Sequence, residues 1–194
     1  MPILPVYWHP VPESFTAAVR DEVLATLGRL GHETRLIDLY GEGFDPVMTA
    51  DERRHYNDRA PSDPALQPHI EALRWAEGLV FVYPTWWYGL PAMLKGWFDR
   101  VWGLEVAFRL APGGGIVPTL THMRLVAVIT TCGAPFWISV LIGHPGRKTI
   151  LRGIRALCGW KCRTIYMAHY LMDVSTPQSR ERFLARVRKK LARV

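Results

Sequence analysis

The sequence predicts a single α/β domain, residues 1–194, built on a doubly wound, five-stranded parallel sheet in three layers α/β/α. Five apolar segments of strand length alternate with segments of helical periodicity, which is typical of crossover connections between parallel strands. Hydrophobic residues make up 49% of the chain and charged residues 21%, a composition that forms a core without disulfides or metals. No internal repeat or low-complexity tract divides the chain, so we expect one domain.

The strands are predicted where short runs of aliphatic and aromatic residues occur. In chain order they cover residues 3–8, 34–38, 79–83, 123–131 and 162–170. The run LVFVY at 79–83 is the most apolar and predicts a strand that is buried on both faces. Five such strands favour the flavodoxin-like order, in which ligands bind beyond the carboxyl ends of the strands.

The helices are predicted from apolar residues that recur at helical spacing. In chain order they cover residues 15–30, 63–78, 90–103, 146–159 and 177–193. Ser14 can cap the first helix and Gly31 ends it. The glycine-rich stretch at 111–115 predicts a flexible loop. One apolar face of the closing helix consists of Phe183, Leu184, Val187 and Leu191.

The formal net charge of +7 is unevenly distributed. Residues 1–105 hold 9 Lys and Arg against 15 Asp and Glu, a net charge of −6, whereas residues 106–194 hold 15 against 2, a net charge of +13. A basic half attracts anions, from phosphates to acidic proteins or a membrane surface. The alternative is a solvated basic helix at 178–194. No nucleic-acid recognition module is recognisable, so we expect no nucleic-acid partner.

The cysteines and the N-terminus indicate a cytoplasmic protein. The three cysteines, Cys132, Cys158 and Cys162, are an odd number, which argues against a secreted disulfide framework. The start lacks the features of a signal peptide, and no run of about 18 apolar residues predicts a transmembrane segment. Cys158, Cys162 and His169 provide too few ligands for zinc, so we expect buried thiols and no metal.

The loop after the first strand, residues 8–16, is a candidate phosphate site. It leads into the first helix with the hydroxyls of Ser14 and Thr16 beside free backbone N–H groups, and His9 could add a contact. The N-terminus of a helix attracts anions. An ordinary capped helix is the alternative. No dinucleotide-binding glycine fingerprint follows the first strand.

The loops after the third and fourth strands could hold a planar ring. The third strand is followed by Pro84, Thr85, Trp86, Trp87 and Tyr88. The loop at 130–137 adds Thr130, Thr131 and Gly133, and the glycine allows a close approach. These aromatic residues could instead fill the core, and that interpretation is stronger for Trp97, which lies inside a predicted helix.

The stretch YPTWWYGLPAMLKGWFDRVW, residues 83–102, resembles the hallmark segment of the NAD(P)H:quinone oxidoreductases of the flavodoxin-like fold. That family includes DT-diaphorase, the bacterial modulator-of-drug-activity proteins and the ancillary subunits of glutathione-gated potassium efflux systems. IDLY and FDP, after the first helix, also match the family. The resemblance covers most of the chain.

The resemblance implies a flavin site made of three loops. The family's flavin-phosphate motif, His-x4-Ser-Phe-Asn, is matched by His9, Ser14, Phe15 and Thr16. The isoalloxazine ring would be held by Pro84, Thr85, Trp86, Trp87 and Tyr88. ITTCG resembles the family's Thr-Thr-Gly-Gly loop, which implies that the ring is flanked by Thr130, Thr131, Cys132 and Gly133.

The resemblance also implies an activity. FAD or FMN would be the cofactor, NAD(P)H the electron donor and a quinone-like molecule the acceptor, with ping-pong kinetics because one pocket is used twice. His144 falls where the family places a histidine near hydride transfer. Phe108 falls near a pocket-lining tyrosine, so Phe108 and Trp87 are expected in the substrate pocket. The family's members are homodimers, which we expect here as well.

The chain departs from the family at several positions. Cys132 replaces the first glycine of its loop, and Ile138 stands where a tyrosine often accompanies the histidine. Phe108 and Leu110 stand where tyrosines often cap the pocket, and Pro5 interrupts the first strand. The chain also ends earlier than the longer, FAD-binding members, which makes FMN an option beside FAD.

These departures leave a second function open. The chain could be a regulatory or ancillary subunit that docks its basic half on an acidic partner, such as a potassium efflux system, with little or no turnover. The replaced tyrosine favours that function, and the complete ring loop favours the reductase. A 2′-phosphate could be bound by Arg147, Lys148 and Arg152. Asp99 and Arg100 are expected to make surface or dimer contacts.

Overall fold

The computed structural model describes all 194 residues and has the predicted α/β/α architecture. Its strands are β1 (Pro2–Tyr7), β2 (Glu33–Thr34), β3 (Ile37–Asp38), β4 (Gly78–Thr85), β5 (Phe108–Leu110), β6 (Ile116–Pro118), β7 (Leu125–Cys132) and β8 (Arg163–His169). The main sheet is parallel and runs in the order β2–β1–β4–β7–β8, with β3 also paired to β1. Counting β2 and β3 as one position, this is the predicted five-stranded, doubly wound order.

Helices cover both faces of the main sheet. They are α1 (Phe15–Arg29), α2 (Ala50–Arg54), α3 (Gln67–Trp75), α4 (Ala92–Val101), α5 (Phe136–Leu141), α6 (Pro145–Lys148) and α7 (Pro177–Leu191). Buried side chains of α1 and α7 join one apolar cluster, and those of α3 and α4 join the other. None of the helices combines the length and apolar character that crossing a membrane requires.

Strand β4 shows how the two clusters arise. Leu79 and Phe81 point into the cluster under α3 and α4, whereas Val80 and Val82 point into the cluster under α1 and α7. Successive side chains of a strand point to opposite faces, so a fully apolar run serves both clusters. The continuous run LVFVY therefore lies in the middle of the sheet, as its composition predicted.

Pro5 divides the predicted second strand, residues 34–38, into two short pieces. The Ile3 carbonyl accepts a bond from the Arg35 N–H, and the Tyr7 carbonyl accepts one from the Leu39 N–H, so Pro5 lies between them on the same side of β1. Proline has no N–H to donate. The hydrogen-bond ladder therefore stops at Pro5, and pairing resumes with β3.

Ser14 caps α1 as predicted, because its Oγ accepts the Ala17 N–H at 3.1 Å. Gly31 follows the helix with φ +75°, a conformation that glycine adopts without strain. The predicted helix at 63–78 is shorter: a 3₁₀ turn, Pro64–Leu66, precedes α3, and the chain is extended again at Ala76.

The predicted helix at 146–159 is wrong in detail. After α6 the chain forms a π-helical turn, Thr149–Gly153, and then a 3₁₀ turn, Ile154–Leu157. Gly153 is a poor helix former at the point where the pitch changes. The hairpin β5–β6 and the short helices α2 and α5 were not predicted, since each is too brief to show a periodicity.

Arg100 is buried, which corrects the expectation that it makes surface or dimer contacts. Its guanidinium contacts a Glu52 carboxylate oxygen at 2.8 Å, an Asp63 oxygen at 2.7 Å and the Asp45 carbonyl at 2.6 Å. The side chain is 5% exposed. The planar guanidinium can donate to several acceptors at once. These hydrogen bonds connect α4 to the segment between β3 and α3.

Replacing Arg100 by methionine should lower the free energy of unfolding by about 3 kcal/mol, because two carboxylates lose their cation. Urea denaturation measures the change. The matched control is Lys95→Met, which breaks the exposed Lys95–Asp99 pair of the same helix and should cost less than about 1 kcal/mol. Equal losses in the two variants would contradict a structural role for the buried network.

Candidate functional site

An open cavity of about 730 Å³ lies beyond the carboxyl ends of β1, β4 and β7. Of the 13 residues predicted to bind a cofactor, 12 line it: His9, Ser14, Phe15, Thr16, Pro84, Thr85, Trp86, Trp87, Tyr88, Thr131, Cys132 and Gly133. They come from three loops that are far apart in the chain. The parallel pairing of β1, β4 and β7 aligns these loops at one edge of the sheet.

The first loop presents the N-terminus of α1 to the cavity. The His9 Nδ1 atom accepts the Val11 N–H at 3.0 Å, so this nitrogen carries no proton. Burial lowers the pKa of His9, which keeps the ring neutral at pH 7. The Thr16 hydroxyl lies 3.0 Å from the Thr131 hydroxyl and is buried. That bond joins the helix terminus to the end of β7.

The loop after β4 carries exposed aromatic side chains on a strained backbone. Trp87 and Tyr88 have φ of 48° and 61°, and Trp87 is 94% exposed. The left-handed conformation costs roughly 1–2 kcal/mol for residues other than glycine. The Trp86 ring packs edge-on against Trp8, with centroids 4.7 Å apart. Trp97, by contrast, is fully buried, so the core interpretation holds for that residue.

Hydroxyl groups hold the ends of β4 and β7 together. The Thr130 Oγ1 atom donates to the Tyr83 carbonyl at 2.6 Å and lies 2.8 Å from the Thr85 Oγ1 atom. Thr130 is buried and does not line the cavity. Its hydroxyl instead positions Thr85, which does.

The loop after β8 completes the wall and was missed by sequence reasoning. Met172 and Asp173 of this loop line the cavity, and Ala134 of the loop after β7 lines it as well. An added Cβ at Gly133 would lie 2.6 Å from the Asp173 Oδ2 atom, so only glycine admits this carboxylate at its present distance. The rule that ligands bind at carboxyl ends of strands could have drawn attention to residues after β8.

His144 lies in a side chamber next to the cavity. The chamber shares Thr85, Tyr88 and Cys132 with the main cavity. The His144 ring centroid lies 6.1 Å from that of Tyr166 and 6.4 Å from that of Tyr170. His144 is half-buried, which argues against a purely solvent-facing loop histidine.

Burial in the chamber favours the neutral forms of His144, Tyr166 and Tyr170. Burial lowers the pKa of His144, and the cations of Arg147 and Lys148 lower it further. Burial also raises the pKa of Tyr166 and of Tyr170. The two tyrosines were not predicted at the site. Tyr166 lies in the edge strand β8 and Tyr170 directly follows it, whereas the expected tyrosine position, occupied by Ile138, is on α5.

Phe108, which was expected in the substrate pocket, does not line this cavity. It begins β5, is 9% exposed, and its ring lies 6.3 Å from that of Tyr56. The Phe108 ring points inward from the hairpin, so that its apolar surface is removed from water. Cys158 and Cys162 are buried free thiols, as expected.

A family model described as the flavodoxin-like fold matches residues 1–191, and the chain belongs to that family. The protein named uncharacterized NAD(P)H oxidoreductase YcaK, from Escherichia coli (strain K12), is 34% identical over 126 residues. That alignment covers 64% of this chain and 62% of the relative, less than two thirds of its length. NAD(P)H dehydrogenase (quinone) 1 of Cavia porcellus is 28% identical over 206 residues, covering 96% of this chain and 74% of the relative.

Solved structures share the fold over the whole chain. Smu.1420 from Streptococcus mutans UA159 superposes with a TM-score of 0.86 at 27% identity, covering 100% of both chains. An FMN-dependent NADH-azoreductase from Bacillus anthracis str. Ames Ancestor, in complex with FMN, has a TM-score of 0.75 at 17% identity, covering 99% of this chain and 98% of the other. The second likeness shows the fold alone.

Replacing Trp87 by glycine should leave the free energy of unfolding unchanged or raise it by up to about 1 kcal/mol, because relief of the left-handed strain offsets the entropy lost by glycine. Urea denaturation is the measurement. The matched control is Trp160→Gly, since Trp160 is 83% exposed and has no positive φ. It should cost about 0.5–1 kcal/mol. A larger loss in the Trp87 variant than in the control would argue against backbone strain in this loop.

Proposed function

We propose that this chain is a flavin-dependent NAD(P)H:quinone oxidoreductase that binds FMN or FAD in the cavity beyond the carboxyl ends of β1, β4 and β7. The observation that carries the proposal is the convergence of three separate loops on one cavity. That cavity has a helix N-terminus in one wall and a loop of aromatic residues in another. The names of the E. coli and Cavia porcellus relatives support the same activity.

The first loop suits the phosphate of a flavin nucleotide. The first N–H groups of α1 have no partner within the helix, and the helix dipole favours an anion there. The Ser14 Oγ accepts the Ala17 N–H, so its own O–H is free to donate to a phosphate oxygen. His9 and the Thr16 hydroxyl lie in the same part of the wall.

The second and third loops suit the planar ring. Trp86, Trp87 and Tyr88 provide aromatic surface at the cavity. Trp86 and Trp87 are exposed within one chain, which leaves their rings free for a ligand. On the other side, Thr131, Cys132 and Gly133 form the wall of the cavity that faces this aromatic loop. The strain at Trp87 and Tyr88 is an expected feature of a loop selected for binding rather than for stability.

The protein's own groups would bind and orient the reactants and control protons. A flavin bound in the cavity would supply the redox chemistry of hydride transfer from NAD(P)H and two-electron reduction of a quinone. Donor and acceptor would use one cleft in turn, which predicts ping-pong kinetics. The neutral His144 ring can donate or accept a proton at the cleft, and the Tyr166 and Tyr170 hydroxyls are neutral donors beside it.

We extend the proposal to a homodimer in the cytoplasm with a small quinone-like acceptor. Helix α5 and the turn after it present an exposed apolar surface, which supports a subunit contact. Its side chains are Phe136, Trp137, Val140, Leu141 and Ile142. Exposed apolar patches of this kind mark interaction sites. The competing role, an ancillary subunit on an acidic partner, is favoured by Ile138 at the tyrosine position and by the basic half.

The purified protein should show flavin absorption bands that bleach with NADH or NADPH under anaerobic conditions and return with menadione. Steady-state turnover then identifies the reductase. Bands that persist with either nucleotide would favour the ancillary role. If no flavin copurifies and neither FMN nor FAD binds, the proposal fails.

Replacing His144 by glutamine should lower kcat by about 10²-fold, the usual contribution of a positioned acid or base. In the unchanged protein, kcat/KM should be constant near pH 7 and fall in more acidic solution, because burial and the nearby cations of Arg147 and Lys148 lower the pKa of His144 below its ordinary value. The variant should lose this acid limb. His122→Gln, at an exposed position outside the cavities, is the control and should keep both rate and profile. An unchanged acid limb in the His144 variant would assign the titration to another group.

A further inference from the structure

We infer that a basic cavity beside His144 binds a phosphate monoester and thereby selects NADPH over NADH as electron donor. This inference rests on the proposed function for the identity of its ligand. The cavity has a volume of about 340 Å³. It is formed by the turn before α6, by α6 and the π-helical turn after it, and by β8.

Three cations converge on this cavity: Arg147, Lys148 and Arg152. None of them forms an ion pair with a carboxylate, although seven other arginines of the chain do. The sequence offers these three cations no local carboxylate, since no Asp or Glu occurs between Glu105 and Asp173. The cluster therefore carries uncompensated positive charge at a concave surface, which suits a small anion.

Local contacts orient two of the cations. The Arg147 guanidinium carbon lies 5.0 Å from the centroid of the Tyr166 ring, a cation–π distance. The Lys148 Nζ atom lies 3.0 Å from the position that a Cβ would occupy at Gly143, whose φ is +88°. Gly143 thus lets the lysine fold over the turn. The Thr164 side chain lines the same cavity and offers a hydroxyl.

The basic cavity is connected to the cofactor cleft through the His144 chamber. The chamber shares Thr85, Tyr88 and Cys132 with the cleft, and it shares His144 and Arg147 with the basic cavity. Strand β8 is the edge of the sheet, and its alternate residues lie along this path. Tyr166, together with Tyr170 just beyond the strand, lines the chamber, and Thr164 lines the basic cavity.

The path suits an elongated dinucleotide. Tyr170 and Thr164 are six residues apart on an extended strand, which corresponds to roughly 20 Å. A nicotinamide placed in the cleft near Thr85 would leave the adenosine half of the molecule pointing along β8 towards the three cations. NADPH carries a 2′-phosphate on that half, with a charge of about −1.5 to −2 at pH 7, and NADH does not.

The test compares the double variant Lys148→Gln/Arg152→Gln with the control Lys189→Gln/Lys190→Gln, which removes the same charge from exposed positions on α7. The ratio of kcat/KM for NADPH to that for NADH should fall at least about tenfold in the first variant. In the control the ratio should stay within about twofold of the original protein. An equal ratio in all three proteins would overturn the inference and leave the reductase proposal intact.

A binding titration tests the cavity separately from turnover. The flavin-loaded protein is titrated with 2′-AMP, 5′-AMP and inorganic phosphate. We expect 2′-AMP to bind at least about tenfold more tightly than 5′-AMP, and only in proteins that retain Lys148 and Arg152. Inorganic phosphate that binds as tightly as 2′-AMP would identify a simple anion site and overturn the assignment to NADPH. If neither nucleotide reduces the flavin, the reductase proposal fails, and this titration still decides whether the cavity recognises a 2′-phosphate.

Discussion

The pairing of β4 with β7 is the constraint on which the site depends. The two strands run parallel in register from Gly78 opposite Leu125 to Thr85 opposite Cys132. Both are buried almost throughout, so a shift by one residue would turn each apolar face to the wrong cluster. Because this register is strongly determined, the loops after the two strands begin at the same height. The Thr130 hydroxyl donates a hydrogen bond to the Tyr83 carbonyl, which further holds the ends of the two strands in this register.

The rigid sheet also explains how the chain tolerates strained residues at its edge. Trp87 and Tyr88 have left-handed backbone conformations that the surrounding loop must maintain. The Gly89 N–H donates to the Trp86 carbonyl, and the Gly146 N–H donates to the Tyr88 carbonyl. These bonds connect the loop to itself and to α6. The free energy gained by burying the sheet offsets the cost of the left-handed backbone at Trp87 and Tyr88. The exposed aromatic surface of the loop remains free for a ligand.

The uneven charge of the chain has different consequences in its two halves. In the acidic half, Arg100 is surrounded by carboxylates and becomes a buried structural cation. In the basic half, Arg147 has no carboxylate within reach and instead contacts the ring of Tyr166. An arginine therefore stabilises the fold in the acidic half, whereas in the basic half an arginine leaves positive charge exposed beside the candidate site.

The sequence by itself determined the fold class, the order of the strands in the main sheet and 12 of the residues that line the cavity. The fold class and the strand order follow from apolar periodicity and turn signals. The cavity residues follow from their places at the strand ends and from the resemblance of their motifs to the quinone oxidoreductase family. The tertiary structure decided what depends on distant parts of the chain. Examples are the ladder broken by Pro5, the inward turn of Phe108, and the meeting of His144 with Tyr166 and Tyr170. Each of these arises from contacts across the sheet or between loops, and neither spacing nor composition encodes such contacts.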